Sequence, residues 1–269
     1  MRFRNAMLVK SIAFFFSPLC IAFSMYSKIP MPQVAWNEKN MRHAICFFPV
    51  VGLVIAGLEC LLMKWYALFF HSEILRTCLI LFIPLWVTGG IHADGFLDTN
   101  DALASYAERE KRLAILKDPH AGAFAIIHFA MYILLFAGVS SAIASGDCRW
   151  VLCFVLSRIL SGLSVVTFPC AKKEGTLYAF ARNADRVVAV VILCVELCIC
   201  CAIQIRLSLV SGIASITAAL IMFLIYYCMA KKKFGGITGD VAGWFLCNAE
   251  LWMTAAFVVA ETVVSLWKH

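Results

Sequence analysis

The chain has 269 residues, of which 63% are hydrophobic and only 14% charged, with a formal net charge of +7. A soluble globular domain carries about one-quarter charged residues, so this composition excludes that class and points to a polytopic membrane protein. Thirteen cysteines lie mostly inside apolar runs such as Cys194, Cys198, Cys200 and Cys201, where they act as small hydrophobes and not as a disulfide scaffold.

The N-terminal "MRFRNAMLVKSIAFFFSPLC" places basic residues before an apolar run, as a signal peptide does, but lacks a small-x-small cleavage site. It reads as a retained first helix or re-entrant segment, broken near Pro18. Apolar spans are then predicted at 45–66, 74–90, 121–144, 150–168, 187–205, 207–230 and 241–266. Most reach the roughly 20 residues that a helix needs to cross hydrocarbon. The fold class is therefore all-α, a polytopic integral membrane bundle of about seven or eight segments, in which residues 1–269 form one transmembrane catalytic domain. The spans leave a homo-oligomer open.

The connections divide sharply by charge. Segments 27–44, 91–120, 169–186 and 231–240 hold 3, 4, 4 and 3 Lys or Arg residues, against Arg149, Arg206 and Lys268 on the other side. The positive-inside rule places the first set in the cytoplasm and makes +7 a topology signal, not a nucleic-acid footprint. Every unusual polar motif falls in or beside that set, which suggests one catalytic face.

In "GGIHADGFLDTNDAL", Asp94, Asp98 and Asp101 are spaced i, i+4, i+7 and share one helix face. Uncompensated, they would repel. A hard cation such as Mg²⁺ is the expected compensator, since it commonly joins carboxylates to phosphates. A solvated helix end would explain the polarity but not the single face. Gly89 and Gly90 permit a helix break, and Gly95 leaves room for a phosphate or another helix. His92 is read as a phosphate ligand, a proton acceptor or a structural hydrogen-bonding group, and spacing does not choose among them.

Residues 102–117 are helical by composition and suit an interfacial helix, stopped by Pro119. Lys117 is a phosphate ligand or a snorkelling lysine, and Asp118 extends the metal site. Lys172 and Lys173, before Gly175, suit either an anionic substrate or lipid headgroups. In "GGITGD" the glycines allow a turn whose amides face phosphate, with Thr238 and Gly239 as substrate contacts. Asp240 is a metal ligand or a helix-start residue. Glu59, Glu250 and Glu261 lie within or near apolar spans, and Arg158 is a candidate ion-pair partner for Glu250.

Taken together, "YSKIPMP", "FFPVVGLVIAG", "GGIHADGFLDTNDAL", "ILKDPHAGAFA" and "GGITGDVAGWF" resemble, in the right order, the adenosylcobinamide-GDP ribazoletransferase family, also called cobalamin 5'-phosphate synthase. The resemblance implies an integral inner-membrane, Mg²⁺-dependent transferase. It joins adenosylcobinamide-GDP to α-ribazole or its 5'-phosphate and releases GMP. The family's acids map onto Asp94, Asp98 and Asp101 with His92; its second block onto Lys117, Asp118 and Gly122; its last onto Gly236, Thr238, Gly239 and Asp240. Asn100, Ala102, Pro119 and Ala125 depart from the usual pattern and bear on substrate preference or efficiency more than on reaction class. A CDP-alcohol phosphotransferase fits less well, because its longer arginine–glycine–aspartate pattern is absent. A transporter would line an ion path with the same acids and would not depend on a nucleotide-linked substrate.

Overall fold

A computed structural model describes residues 16–69 and 72–267, so the basic leader and Lys268 lie outside the described residues. The described regular structure is helical apart from a single isolated parallel bridge between Cys170 and Ile237. The first described helix, α1 (Phe16–Tyr26), runs through Pro18. After the short α2 (Glu38–Met41) come α3 (Phe48–Phe69), α4 (Glu73–Thr88), α5 (Ile91–Ala104), α6 (Arg109–Ile115) and α7 (Ala123–Ser141). The chain continues as α8 (Cys153–Thr167), α9 (Thr176–Asn183), α10 (Arg186–Leu207), α11 (Leu209–Met229) and α12 (Gly239–Leu266).

Six helical runs are long and apolar enough to cross a membrane, and seven when the bent pair α4–α5 counts as one span. This meets the lower end of the predicted number. An eighth would require the N-terminal segment, but α1 is shorter than a span and the residues before it lie outside those described. The bundle is apolar on its outside. On α10, Val187, Val191, Val195, Ile199 and Ile203 form an exposed stripe, while Ala189, Leu193 and Cys200 turn inward. On α7, Ile126, Ile127, Met131, Leu134 and Leu135 are likewise exposed. Water would penalise such surfaces, so they are the faces that lipid covers.

The centre is α8, whose interior-facing residues include Phe154, Leu156, Ile159 and Leu160, all nearly fully buried. It packs against α3, α10 and α12. Gly52 of α3 meets α8 so closely that a Cβ there would collide with the Phe154 carbonyl. Burial of Arg158 in this apolar centre requires a partner, and Glu250 of α12 supplies it, with Nη1 to Oε1 at 2.6 Å. Arg158 Nη1 also donates to the Phe154 carbonyl at 2.7 Å. Glu261 instead pairs with Arg149, at 2.8 Å, and accepts from Ser208 and Ser211. Glu59 is fully buried, and neither of its carboxyl oxygens has a hydrogen-bond partner among the described residues.

Two local features shape the site, one expected and one a departure. Gly89 and Gly90 take left-handed φ values of 64° and 81°, and α4 meets α5 at 95°. That is the predicted break at the paired glycines. The helix expected over 102–117 is interrupted: α5 stops at Ala104, Tyr106 adopts φ 51°, and α6 covers only Arg109–Ile115. The Ser105 hydroxyl accepts from Ala107 N at 3.2 Å and donates to the Ala102 carbonyl at 2.7 Å. These local bonds compete with the helical ladder.

Candidate active site

The site is built where α5 crosses the first turns of α12. A Cβ on Gly95 would stand 2.7 Å from both Cα and O of Asp240, and one on Gly243 would stand 2.8 Å from the His92 carbonyl oxygen. The two glycines therefore bring the backbones together and set Asp94 and Asp240 side by side. Gly95 accommodates a helix and not a phosphate. Gly243 was not singled out from the sequence, because a small residue shows its meaning only against the partner that fills its space.

The strap leading into α12 is held by its own backbone. Gly235 N donates to the Lys231 carbonyl, Gly236 N to that of Ala230, and Ile237 N to that of Pro169, the last at 2.8 Å. The amides of Gly235, Gly236 and Ile237 are thus spent internally, so these three of the "GGITGD" turn do not face phosphate as expected. Thr238 caps α12 by accepting from Val241 N at 3.2 Å and donates to Asp240 Oδ2 at 3.3 Å. Thr238, Gly239 and Asp240 are what the strap delivers to the cavity.

That cavity has a volume of about 430 Å³. Its polar lining is His92, Asp94, Lys117, Lys172, Glu174, Gly175, Thr238, Gly239 and Asp240, and its apolar lining includes Met25, Tyr26, Phe48, Val165 and Leu246. The His92 ring is buried against Tyr26 and Phe48, with centroids 6.3 and 5.8 Å away, and its Nε2 has no hydrogen-bond partner among the described residues. It also lines a small deeper void with Arg158 and Glu250, so it stands between the cavity and the buried ion pair.

Lys117 donates to Glu174 at 2.8 Å, and that bond holds the Glu174 carboxyl below the usual range. Glu174, between Lys173 and Gly175, is a site residue that the sequence analysis did not single out. Lys172 donates to the Leu113 carbonyl at 3.0 Å. Burial pushes its ammonium below the ordinary lysine range, reinforced by Lys117 and opposed by Asp240 and Glu174. Lys173 faces away from this cavity into a neighbouring groove.

The acids divide by position. Asp94 and Asp240 line the cavity. Asp98, one turn along α5 from Asp94, feels the charges of Asp94, Asp240 and Asp101. Asp101 sits against Gly122, where any Cβ would collide with its carboxylate. Asp118 is outside: its carboxylate accepts from His120 N at 2.9 Å, which lowers its pKa, and it does not line the cavity. Among the described residues, Asp94, Asp98, Asp101 and Asp240 form no ion pair with Lys, Arg or His.

Among the described residues no three His, Cys, Asp or Glu side chains converge closely enough to hold a metal between them. Mg²⁺ does not require such a cage. It keeps several waters and is usually held by one or two carboxylates together with substrate phosphates. Hard-oxygen donors in no direct ion pair, beside two lysines suited to phosphate, fit that mode; Asp118 does not share the cavity.

Residues 18–258 match the family model described as cobalamin-5-phosphate synthase. The chain belongs to the cobalamin-5-phosphate synthase family. It is therefore an enzyme, a transferase of cobalamin biosynthesis. It is 42% identical over 247 residues to the adenosylcobinamide-GDP ribazoletransferase of Lachnoclostridium phytofermentans, covering 91% of this chain and 95% of that relative. Identity is 33% to that of Clostridium botulinum, over 88% of this chain and 94% of the relative. It is 29% to that of Geobacillus kaustophilus, over 86% and 92%. No solved structure matches the chain. The match to the cobalamin-5-phosphate synthase model spans every segment that lines the cavity.

Proposed function

We propose that the cavity at the α5–α12 crossing transfers the cobinamide-phosphate unit of adenosylcobinamide-GDP to α-ribazole or its 5'-phosphate, releasing GMP. The observation that carries this is the pairing of Asp94 and Asp240, from two crossing helices, in one cavity with Lys117 and Lys172. The residues 1–269 act as one transmembrane catalytic unit whose reactive face is cytoplasmic, as the basic loops that flank the cavity favour.

The ribose 3'-hydroxyl of the ribazole forms a bond to the phosphorus attached to cobinamide. The pyrophosphate bridge breaks, and GMP departs with the electron pair. Some of Asp94, Asp98, Asp101 and Asp240 would hold Mg²⁺, one or two at a time, and the ion would supply charge neutralisation to the substrate phosphates. Lys117 and Lys172 steady phosphate oxygens, with Thr238 and Gly239 in the same cavity. The hydroxyl proton passes to an acid of this set or to His92. The apolar lining of Tyr26, Phe48 and Leu246 suits the dimethylbenzimidazole ring.

Reconstitution in lipid with Mg²⁺, adenosylcobinamide-GDP and α-ribazole phosphate should yield GMP and the joined corrinoid in equal amounts. Asp94→Asn and Asp98→Asn should each lower turnover on the order of a hundredfold or more, the scale of losing a transition-state charge contact. A folded wild-type protein that releases no GMP would remove the reading.

A further inference from the structure

A second opening adjoins the cavity. It is a groove of about 530 Å³ beside α9, with Trp36, Glu38, Lys173, Tyr178 and Arg182 on its walls. That volume lies within the range of small-molecule sites, about 300–1,000 Å³. Gly175 and Tyr178 line both the groove and the cavity, so the two spaces meet there. At Gly175, with φ 88°, no atom lies within 4 Å of where a Cβ would stand. A ligand held at Lys117 and Lys172 can therefore pass over Gly175 into the groove.

We infer that this groove binds the guanosine monophosphate end of the nucleotide-linked substrate. The inference rests on the reaction proposed above and assigns its leaving group a place. Lys173 and Arg182 are exposed, and among the described residues neither is in an ion pair. They supply cationic donors for a phosphate. Trp36 meets Phe180 edge-on, with centroids 6.0 Å apart and planes at 85°, and remains 45% exposed. Its indole is thus propped from one side and open to a stacking base on the other. Glu38 is exposed and also free of an ion pair among the described residues.

A carboxylate only accepts hydrogen bonds. Guanine offers two adjacent donors, N1–H and the N2 amine, which one carboxylate can accept together. Adenine and cytosine present no such pair. Dimethylbenzimidazole has no donor on its ring edge and belongs against the apolar lining of the cavity. The two aromatic groups of the reaction thereby fall in different spaces, the groove and the cavity, which meet at Gly175 and Tyr178. A lipid headgroup would satisfy Lys173 and Arg182, but it gives no use to Trp36 and is repelled by Glu38.

The test is equilibrium binding of GMP, IMP and AMP to the full chain in nanodiscs of neutral lipid, with no turnover involved. The wild type should favour GMP over AMP by about tenfold or more, the scale of hydrogen bonds to a charged group. Glu38→Gln should erase most of that preference. IMP, which lacks the N2 amine, should bind between the two. Arg182→Ala should weaken GMP and AMP alike. Equal binding of GMP and AMP by the wild type would overturn the inference, and that result depends on no variant folding. So would displacement of GMP by anionic-lipid nanodiscs, which would assign the groove to headgroups. If product forms with an unchanged KM for adenosylcobinamide-GDP in both Glu38→Gln and Arg182→Ala, the reaction stands and the groove assignment falls. Selective GMP binding lost in Glu38→Gln, in a protein that forms no product, would support the groove and remove the reaction.

Discussion

At the scale of single residues, Lys172 links environment to chemistry most directly. Its ammonium is partly withdrawn from water, stands near Lys117, and is pushed below the usual lysine value of about 10.4. A lowered pKa means the proton leaves earlier as pH rises. Phosphate binding that needs the charge is therefore complete below that lowered value and lost above it. The alkaline limb of kcat/KM should fall at a lower pH than an ordinary lysine predicts. Lys172→Arg should move the limb upward, because guanidinium stays charged. An alkaline limb identical in wild type and Lys172→Arg would mean that Lys172 does not hold the anion. Lys172 was legible as a candidate because two lysines precede a glycine in a basic loop. Which of Lys172 and Lys173 enters the cavity was not legible, since no regular period fixes side-chain direction in a loop.

At the scale of elements, the crossing of α5 and α12 decides the geometry. The single face of Asp94, Asp98 and Asp101 was readable from i, i+4, i+7 spacing, because helical period alone sets it. The break at Gly89–Gly90 was readable because paired glycines favour left-handed backbone. The interruption after Ala104 was not, since a run of good helix formers hides the local bonds of Ser105 and the positive φ of Tyr106. The Arg158–Glu250 pair was readable as opposite charges in separate apolar spans. Its loss on one side alone would leave a buried charge, at a cost of about 3–5 kcal/mol. The crossing itself makes the sharper prediction. Gly95→Val should overpack α5 against the Asp240 backbone and cost about 1–3 kcal/mol, read as a lower thermal midpoint in nanodiscs. It should also slow turnover by pushing Asp94 away from Asp240. An unchanged midpoint together with an unchanged rate would mean that the close crossing is dispensable.

At the scale of the whole molecule, the exterior and the loops give independent accounts of orientation. The exposed aliphatic stripes of α7 and α10 mark the faces turned to lipid, where charged side chains are costly. The basic connections mark one end of the bundle, and the cavity opens among them at Lys117, Lys172 and the start of α12. The boundaries of six spans were legible within a few residues because hydrocarbon thickness imposes a length, but the span expected over 74–90 is one arm of a bent pair that runs on to Ala104. The exact number was less so, since a sharply bent pair of short helices has the composition of one long one. With segment 231–240 in the cytoplasm, α12 must carry the chain to the opposite side. Alkaline phosphatase fused after the full chain should therefore be active in cells, and green fluorescent protein fused at the same point should stay dark. The reverse pair of readouts would invert the bundle and place the cavity on the outer face. Intracellular nucleotide substrates could not reach it there, so the orientation of α12 constrains the proposed chemistry as strongly as the acids do.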